Sequence, residues 1–120
     1  MKRNQPRYPR TARVGELLRE IIAEELRELD DERLELVAIT SVVVDGSLKH
    51  ATVYFDTLTG EDADPAVLEA FGELRRKLQG AVGRQAHLKH TPELEFRPDD
   101  VERRAERLEG ILRDLNDDDG

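Results

Sequence analysis

The side chains best placed to do chemistry in this sequence are basic residues grouped around Gly80 and Gly83. Glycine has no side chain to block the backbone, so a Gly-x-x-Gly segment can bring backbone amides close to a chain of phosphates. Arginine and lysine beside such a segment neutralise phosphate charge. With basic residues near the N-terminus they form the candidate RNA-binding set: Arg3, Arg7, Arg10, Arg13, Arg75, Arg76, Lys77, Gly80, Gly83, Arg84 and Lys89.

Other kinds of chemistry find little support in the 120 residues. The sequence has no cysteine, which excludes a thiol nucleophile, a cysteine-ligated zinc and a disulfide framework. His87, His90 and Glu93 could share a metal ion, but spacing alone is weak evidence, and histidines facing solvent or phosphate are the simpler interpretation. Nucleophile, nucleotide-binding and metalloprotease motifs are absent. We therefore expect neither an enzyme nor a bound metal or cofactor.

The charge of the chain is distributed unevenly around a net value of −8. Residues 1–19 carry a net charge of +5 and residues 72–92 carry +4, whereas residues 20–71 carry −11 and residues 93–120 carry −6. Screening limits an exposed charge to about 8 Å at physiological salt, so a polyanion responds to the local sign. The two basic zones predict a nucleic-acid partner, unless they merely keep surface helices in solution.

No segment predicts a membrane span or a secretory signal. The longest apolar stretch, residues 36–44, is too short to cross a bilayer, and the N-terminus lacks an apolar signal region. The length fits one domain with an aliphatic core. The sequence therefore predicts a cytoplasmic protein with no membrane partner and no small-molecule substrate.

Hydrophobic periodicity predicts the elements that must position the basic residues. Residues 1–9 are polar, basic and rich in proline and predict a flexible arm, and residues 10–29 have the period of an amphipathic helix. Residues 36–44 and 49–57, on either side of an Asp-Gly turn, predict a β-hairpin. Asp64 followed by Pro65 predicts the start of a second helix, with Asp64 as its N-cap.

The second half of the chain adds a strand and further helices. Gly80 and Gly83 interrupt the second helical pattern and predict a break into two helices, with close helix packing as the alternative. Residues 93–97 predict a third strand, Asp99 and Glu102 a capping box for a last amphipathic helix, and residues 116–120 an acidic disordered tail. The order α-β-β-α-(kink)-α-β-α predicts an α+β domain over residues 10–115, with a three-stranded sheet covered on one face by helices.

Three segments give the sequence a resemblance to a known family. They are residues 13–22 (RVGELLREII), residues 51–55 (ATVYF) and residues 88–96 (LKHTPELEF), the last followed by Asp99. In these segments and in element order the chain resembles ribosome-binding factor A over residues 10 to 115. The resemblance implies a type II KH-like fold. It also implies a non-enzymatic bacterial factor that binds the immature small ribosomal subunit and assists late maturation of its ribosomal RNA, with importance in the cold.

The position of the helix kink stays open at this point. The family carries Ala-x-Gly where KH domains carry Gly-x-x-Gly; these letters occur at residues 81–83, but the family register falls on residues 74–76. We expect a monomer that grips ribosomal RNA with its basic N-terminal residues and with the residues around the break. A protein-interaction adaptor, which would bind a partner protein through an open sheet face or an acidic helix, is the alternative function.

Overall fold

The computed structural model describes residues 9–118; the rest of the predicted arm (residues 1–8) and the end of the predicted tail (residues 119–120) lie outside the described residues. The elements are α1 (Arg10–Glu28), β1 (Val37–Val44), β2 (His50–Thr57), α2 (Asp64–Gln85), β3 (Glu93–Pro98) and α3 (Asp100–Asp118). This order confirms the α+β class and places each strand within one residue of its predicted bounds. The last helix, α3, continues through the first residues of the segment predicted as a tail.

The sheet is mixed, with the strand order β1-β2-β3. β1 and β2 are antiparallel partners with Val42 opposite Val53, whereas β3 lies parallel to β2 with Phe96 opposite Val53. Two parallel strands need a crossover connection, and α2 supplies it. A bulge at Thr40 interrupts the register of β1 and β2. The Thr40 hydroxyl donates to Asp99 at 2.5 Å, which links the bulge to the start of α3.

α1 and α2 cover one face of the sheet and enclose the core, as predicted. Phe71 of α2 is fully buried between Phe55 of β2 and Phe96 of β3, with ring centroids 5.4 Å and 4.3 Å away. The Phe71 and Phe96 rings stack with an interplanar angle of 5°. Leu18 and Ile22 of α1 are also fully buried. The core is otherwise aliphatic, as the low aromatic content predicts.

α1 approaches β1 so closely that one of its positions must be glycine. A Cβ atom at Gly15 would lie 2.3 Å from the carbonyl oxygen of Val42, a distance that no side chain tolerates. Glycine in a helix interior costs about 1 kcal/mol relative to alanine, so its presence here reflects the contact with the strand. The glycine in the segment that resembles the family therefore has a packing role.

α2 is one continuous helix of 22 residues, and the predicted break near Gly80 is wrong. Both candidate positions for the kink, residues 74–76 and residues 80–83, lie inside it. The helix ends at Gln85, and the N–H of the following residue, Ala86, donates to the Val82 carbonyl at 2.9 Å. Close packing, the alternative interpretation, accounts for Gly83, because a Cβ atom there would lie 3.1 Å from Thr91 Oγ1. The sheet is therefore joined by a single crossover helix.

Asp64 is not the N-cap of α2, contrary to the sequence prediction. It is the first residue of the helix, and its side chain caps no backbone N–H. Its carboxylate instead accepts two hydrogen bonds from Arg103 of α3, at 2.6 and 2.9 Å, and Arg103 also donates to Asp56 at 2.8 Å. Arg103 is only 7% exposed, and its bonds to Asp64 raise the pKa of its guanidinium. This buried cation ties α3 to α2 and β2.

α3 projects from the domain beyond this anchor. Asp99 caps its first turn by accepting from the Glu102 N–H at 2.9 Å, as predicted. The N–H of Asp99 donates to the carbonyl of Phe55, so it is not available for the second bond of a capping box. The large apolar side chains of α3 are all more than half exposed: Val101, Leu108, Ile111, Leu112 and Leu115. The radius of gyration, 17.1 Å, exceeds the roughly 13–14 Å of a compact chain of this length.

Replacing Ile22 with alanine should lower the free energy of unfolding by about 2–5 kcal/mol, because the side chain is fully buried between α1 and the sheet. Urea denaturation measures the change. Leu17→Ala on the same helix is the matched control, since Leu17 is 37% exposed, and it should have a clearly smaller effect. Equal losses in the two variants would contradict the packing described for α1.

Replacing Arg103 with alanine should destabilise the fold by about 3–5 kcal/mol, because it leaves two partly buried carboxylates without their cation. Arg104→Ala is the control: its side chain is exposed, and the change should stay within about 0.5 kcal/mol of the wild type. Thermal or urea unfolding followed by circular dichroism distinguishes the two. Indistinguishable stabilities would mean that the buried cation does not hold α3 to the domain.

Candidate nucleic-acid interface

Four exposed basic side chains on α2 form what we call the α2 basic surface: Arg75, Arg76, Lys77 and Arg84. Of the four, Arg75 alone forms an ion pair within residues 9–118, donating to Glu93 of β3 at 2.6 Å. The other three side chains are exposed and have no carboxylate partner among the same residues. Exposed and uncompensated cations are the groups that a phosphate backbone contacts.

An open groove of about 630 Å³ lies beside this surface, between α2 and the start of β3. On the α2 side it is lined by Arg75, Arg76 and the helix backbone at Gly72 and Gly80. A Cβ atom at Gly72 would meet nothing within 4 Å, and one at Gly80 would meet only the end of the Arg84 side chain at 3.2 Å. The two glycines therefore leave the helix backbone accessible to a ligand that the arginines attract.

Gln79 fixes the opposite wall of the groove, which is the segment leading into β3. Its amide nitrogen donates to the carbonyl of Pro92, and its amide oxygen accepts from the N–H of Leu94 at 3.1 Å. Gly83 lets Thr91 lie directly against the helix. The width of the groove is thus set by side-chain contacts between α2 and this segment.

The continuity of α2 changes how phosphate can be held here. In an α-helix each N–H donates to the carbonyl four residues earlier, so the amides of residues 80–83 are already occupied. They are not available to phosphate as the amides of a Gly-x-x-Gly loop would be. A phosphate placed at this surface could be bound by the arginine and lysine side chains, with room for close approach at Gly72 and Gly80.

An acidic side chain next to the α2 basic surface is neutralised within the fold. Glu73 lies one turn before Lys77 and accepts from Arg33 at 2.9 and 3.1 Å. Arg33 also donates to Asp31 at 2.7 Å. The hydrogen bonds from Arg33 hold the pKa values of Glu73 and Asp31 below their usual range, and they raise the pKa of Arg33. Glu73 therefore does not pair with the neighbouring cations Arg76, Lys77 and Arg84, which have no ion-pair partner among residues 9–118.

The predicted arginines of α1 lie apart from this surface. Arg10 and Arg13 are exposed on the first turn of α1. The last residue of α2, Gln85, donates to Glu25 at 3.0 Å, and Glu25 is about 18 Å from Arg13 along the helix axis. Arg10 and Arg13 therefore occupy the far end of α1 from the place where it meets the end of α2.

The remaining predicted residues, Lys89, Arg3 and Arg7, belong to the two basic zones of the sequence. Lys89 is exposed on the segment between α2 and β3, five residues after Arg84. Arg3 and Arg7 lie outside the described residues. The structure therefore gathers most of the candidate set on one helix: Arg75, Arg76, Lys77, Gly80, Gly83 and Arg84.

Sequence reasoning missed several residues that shape the groove. Gly72 could have been found, because it precedes Gly80 by about two helical turns and so shares its face. Gln79, Thr91 and Glu93 carry no such signal, since their roles arise from contacts between α2 and the segment leading into β3. These contacts can be identified only from the structure, in which α2 lies against the segment that leads into β3.

No three histidine, cysteine, aspartate or glutamate side chains within residues 9–118 are grouped to hold a metal ion, and His87, His90 and Glu93 therefore do not form such a group. Among the same residues no helix is long and apolar enough to cross a membrane.

The amino-acid sequence of this chain is similar to those of one known protein family. The family model described as ribosome-binding factor A matches residues 10–112. Ribosome-binding factor A of Rubrobacter xylanophilus is 39% identical over 112 residues, which cover 92% of this chain and 91% of that protein. The factor from Rhodopseudomonas palustris strain HaA2 is 42% identical over 116 residues, which cover 93% of this chain and 85% of that protein.

The fold of this chain is also similar to solved structures of that family. The crystal structure of ribosome-binding factor A from Thermus thermophilus gives a TM-score of 0.67 at 28% identity, covering 76% of this chain and 97% of that chain. A homology model of the Thermus thermophilus factor, fitted into a cryo-EM map of its complex with 30S, gives 0.58 at 29% identity and covers 69% of this chain and 88% of that one. By sequence and by fold, this chain belongs to the ribosome-binding factor A family.

Proposed function

We propose that this chain binds the small ribosomal subunit during late maturation of its ribosomal RNA, with the α2 basic surface as its main RNA contact. The observation that carries the proposal is a group of three cations on the exposed side of α2, in a member of this family, that form no ion pair within residues 9–118: Arg76, Lys77 and Arg84. The Thermus relative fitted into a map of its 30S complex supports the partner. The role is one of binding, without catalysed chemistry, and it places the chain in the cytoplasm, where ribosomes mature.

The α2 basic surface acts through charge at short range. Acidic residues elsewhere on the chain are screened over about 8 Å, so they scarcely weaken a phosphate contact made by Arg76 or Arg84. The pairing of Glu73 with Arg33 engages a carboxylate that lies one helical turn from Lys77 and would otherwise compete with phosphate. The first-turn arginines of α1, Arg10 and Arg13, provide a second contact about a helix length away, and Lys89 extends the first. Arg3 and Arg7 of the predicted arm belong to the α1 contact in this proposal.

The adaptor function is the second candidate, and the exposed apolar side chains of α3 favour it. The two functions differ in their dependence on salt. Displacement of counterions from RNA makes affinity fall steeply with salt, whereas contacts with a partner protein through apolar side chains do not. The salt dependence of subunit binding therefore decides between them. Importance in the cold stays a prediction, which growth of a deletion strain at low temperature would test.

Replacing Arg76, Lys77 and Arg84 together with glutamine should weaken binding to isolated small subunits and reduce its salt dependence. Up to three phosphate contacts are lost, so the slope of log affinity against log salt should become shallower by roughly 2–3, taking the coefficient for duplex DNA as a guide. Binding is measured by sedimentation with subunits over a range of potassium chloride concentrations at fixed magnesium.

The matched control removes the same charge from other surfaces. Arg27, Arg97 and Arg113 are exposed on α1, β3 and α3, and their replacement by glutamine should leave the slope almost unchanged. Two of these residues lie in exposed ion pairs, Arg27 with Glu24 and Arg97 with Glu95, which contribute little to stability. Equal loss of affinity in the two triple variants would mean that binding follows net charge and that the α2 basic surface has no special role.

Replacing Gly80 with alanine should stabilise the fold by about 0.5–1 kcal/mol, because alanine is the better helix former and only the flexible end of Arg84 must move. The same change should weaken subunit binding, since the new methyl group occupies the groove. Gly110→Ala on α3, where a Cβ atom would meet nothing within 4 Å, is the control and should not affect binding. Wild-type affinity in Gly80→Ala would show that the partner does not approach the helix backbone.

A further inference from the structure

α3 carries an apolar surface that its own domain leaves uncovered. Its five large apolar side chains lie between 52% and 77% exposed, and they repeat at helical spacing over about 21 Å from Val101 to Leu115. A stripe of this kind on a helix ordinarily faces another element. Within the described residues no helix or strand lies over it.

The anchor of α3 explains why the stripe faces away from the domain. Arg103 is buried against Asp56 and Asp64, and it holds one side of the helix to β2 and α2. At 100° per residue, Leu108 and Leu112 lie on roughly the opposite side of α3 from Arg103. Covering the stripe with the chain's own sheet would require the Arg103 bonds to break. The stripe is therefore presented to another molecule.

The sequence of α3 fits a heptad repeat with charges at its edges. Val101, Leu108 and Leu115 occupy a positions and Ile111 a d position, while Leu112, at e, widens the stripe. The d position before Ile111 holds Arg104, so the continuous apolar seam is confined to residues 108–115. The g positions are Arg107 and Asp114, which carry opposite charges. The edge of the stripe that carries g is therefore basic in its first half and acidic in its second.

We propose that α3 pairs with α3 of a second copy of this chain as an antiparallel two-helix coiled coil. In an antiparallel pair the g edges of the two helices face each other, so Arg107 of each copy lies opposite Asp114 of the other, twice in one symmetric dimer. A parallel pair would set the g edge against the apolar e edge, where Leu112 offers no charge. The charges on α3 are thus complementary to those of a second copy of the chain, and they favour antiparallel over parallel pairing.

The interface is small and the association correspondingly weak. A stripe of about 21 Å contributes fewer than three heptads, and such a contact falls below the roughly 1,200 Å² of a stable interface. In the single chain Arg107 lies against Glu61, but both side chains are exposed, so exchanging this partner is easy. The monomer predicted from the sequence then describes the dilute protein, and dimers form as its concentration rises.

Sedimentation equilibrium of the full chain from about 1 µM to about 500 µM tests the proposal, because weak interfaces associate within this range. The average mass should rise toward that of a dimer. The double variant Leu108→Glu with Ile111→Glu should stay monomeric throughout, with unchanged melting, because neither residue belongs to the core. A wild-type chain that remains monomeric at every concentration, or a double variant that still dimerises, overturns the proposal.

Charge reversal tests the direction of pairing. Arg107→Glu should weaken the dimer by about tenfold, because it places like charges together at two symmetric sites. Adding Asp114→Arg to this variant should restore the affinity, because the opposite charges then face each other again. Failure of the second change to restore it excludes the antiparallel pairing. If the stripe variants leave the mass unchanged and instead reduce binding to small subunits, the stripe contacts the subunit, and the proposal is wrong.

Discussion

The contact on which the rest of the structure depends is that of Phe71 with the two strands beneath it. This side chain lies between Phe55 and Phe96, and so it fixes α2 to β2 and β3 at the same time. Because the apolar side of the helix is held there, its outward residues have only one orientation available. The aromatic contact therefore fixes which side of α2 faces the sheet, and with it the outward side that carries Arg76.

Specific ion pairs, more than distance, keep the acidic residues of this protein from cancelling the charge of its basic surface. Acidic residues exceed basic ones, yet those nearest the α2 basic surface are held by specific arginines: Glu73 by Arg33 and Glu93 by Arg75. The buried Arg103 takes up two further carboxylates. On the C-terminal half of α2, the exposed charged side chains that have no carboxylate partner within residues 9–118 are basic, so an acidic chain can present a surface suited to RNA.

Local patterns in the sequence were sufficient for much of the fold. The stripes of α1 and α2, the alternation of β2 and the turn after β1 depend on neighbours in the chain, so their periodicity predicts them. The resemblance carried by residues 88–96 indicated the family. The basic residues of α2 could likewise be predicted from the sequence, because an exposed cation can be identified without knowing its contacts in the fold.

The errors share one cause, which is contact between residues far apart in sequence. Helix propensity predicts a break at Gly83, because it cannot distinguish a break from close packing against Thr91, which belongs to another segment. Asp64 has the residue type of a cap, yet it binds Arg103, which lies 39 residues later. The apolar stripe of α3 resembles those of the core helices, and only its attachment at Arg103 shows that it faces solvent.

The two hydrogen bonds of Gln79 have a consequence for the free edge of the sheet. β3 is an edge strand, and an edge strand with unpaired N–H and carbonyl groups invites extended segments of other chains to add to the sheet. Gln79 occupies the N–H of Leu94 on the side away from β2, and Glu93 and Glu95 place charges along the same strand. The beginning of this free edge is therefore closed to an added strand, and the crossover helix that builds the sheet also limits its extension.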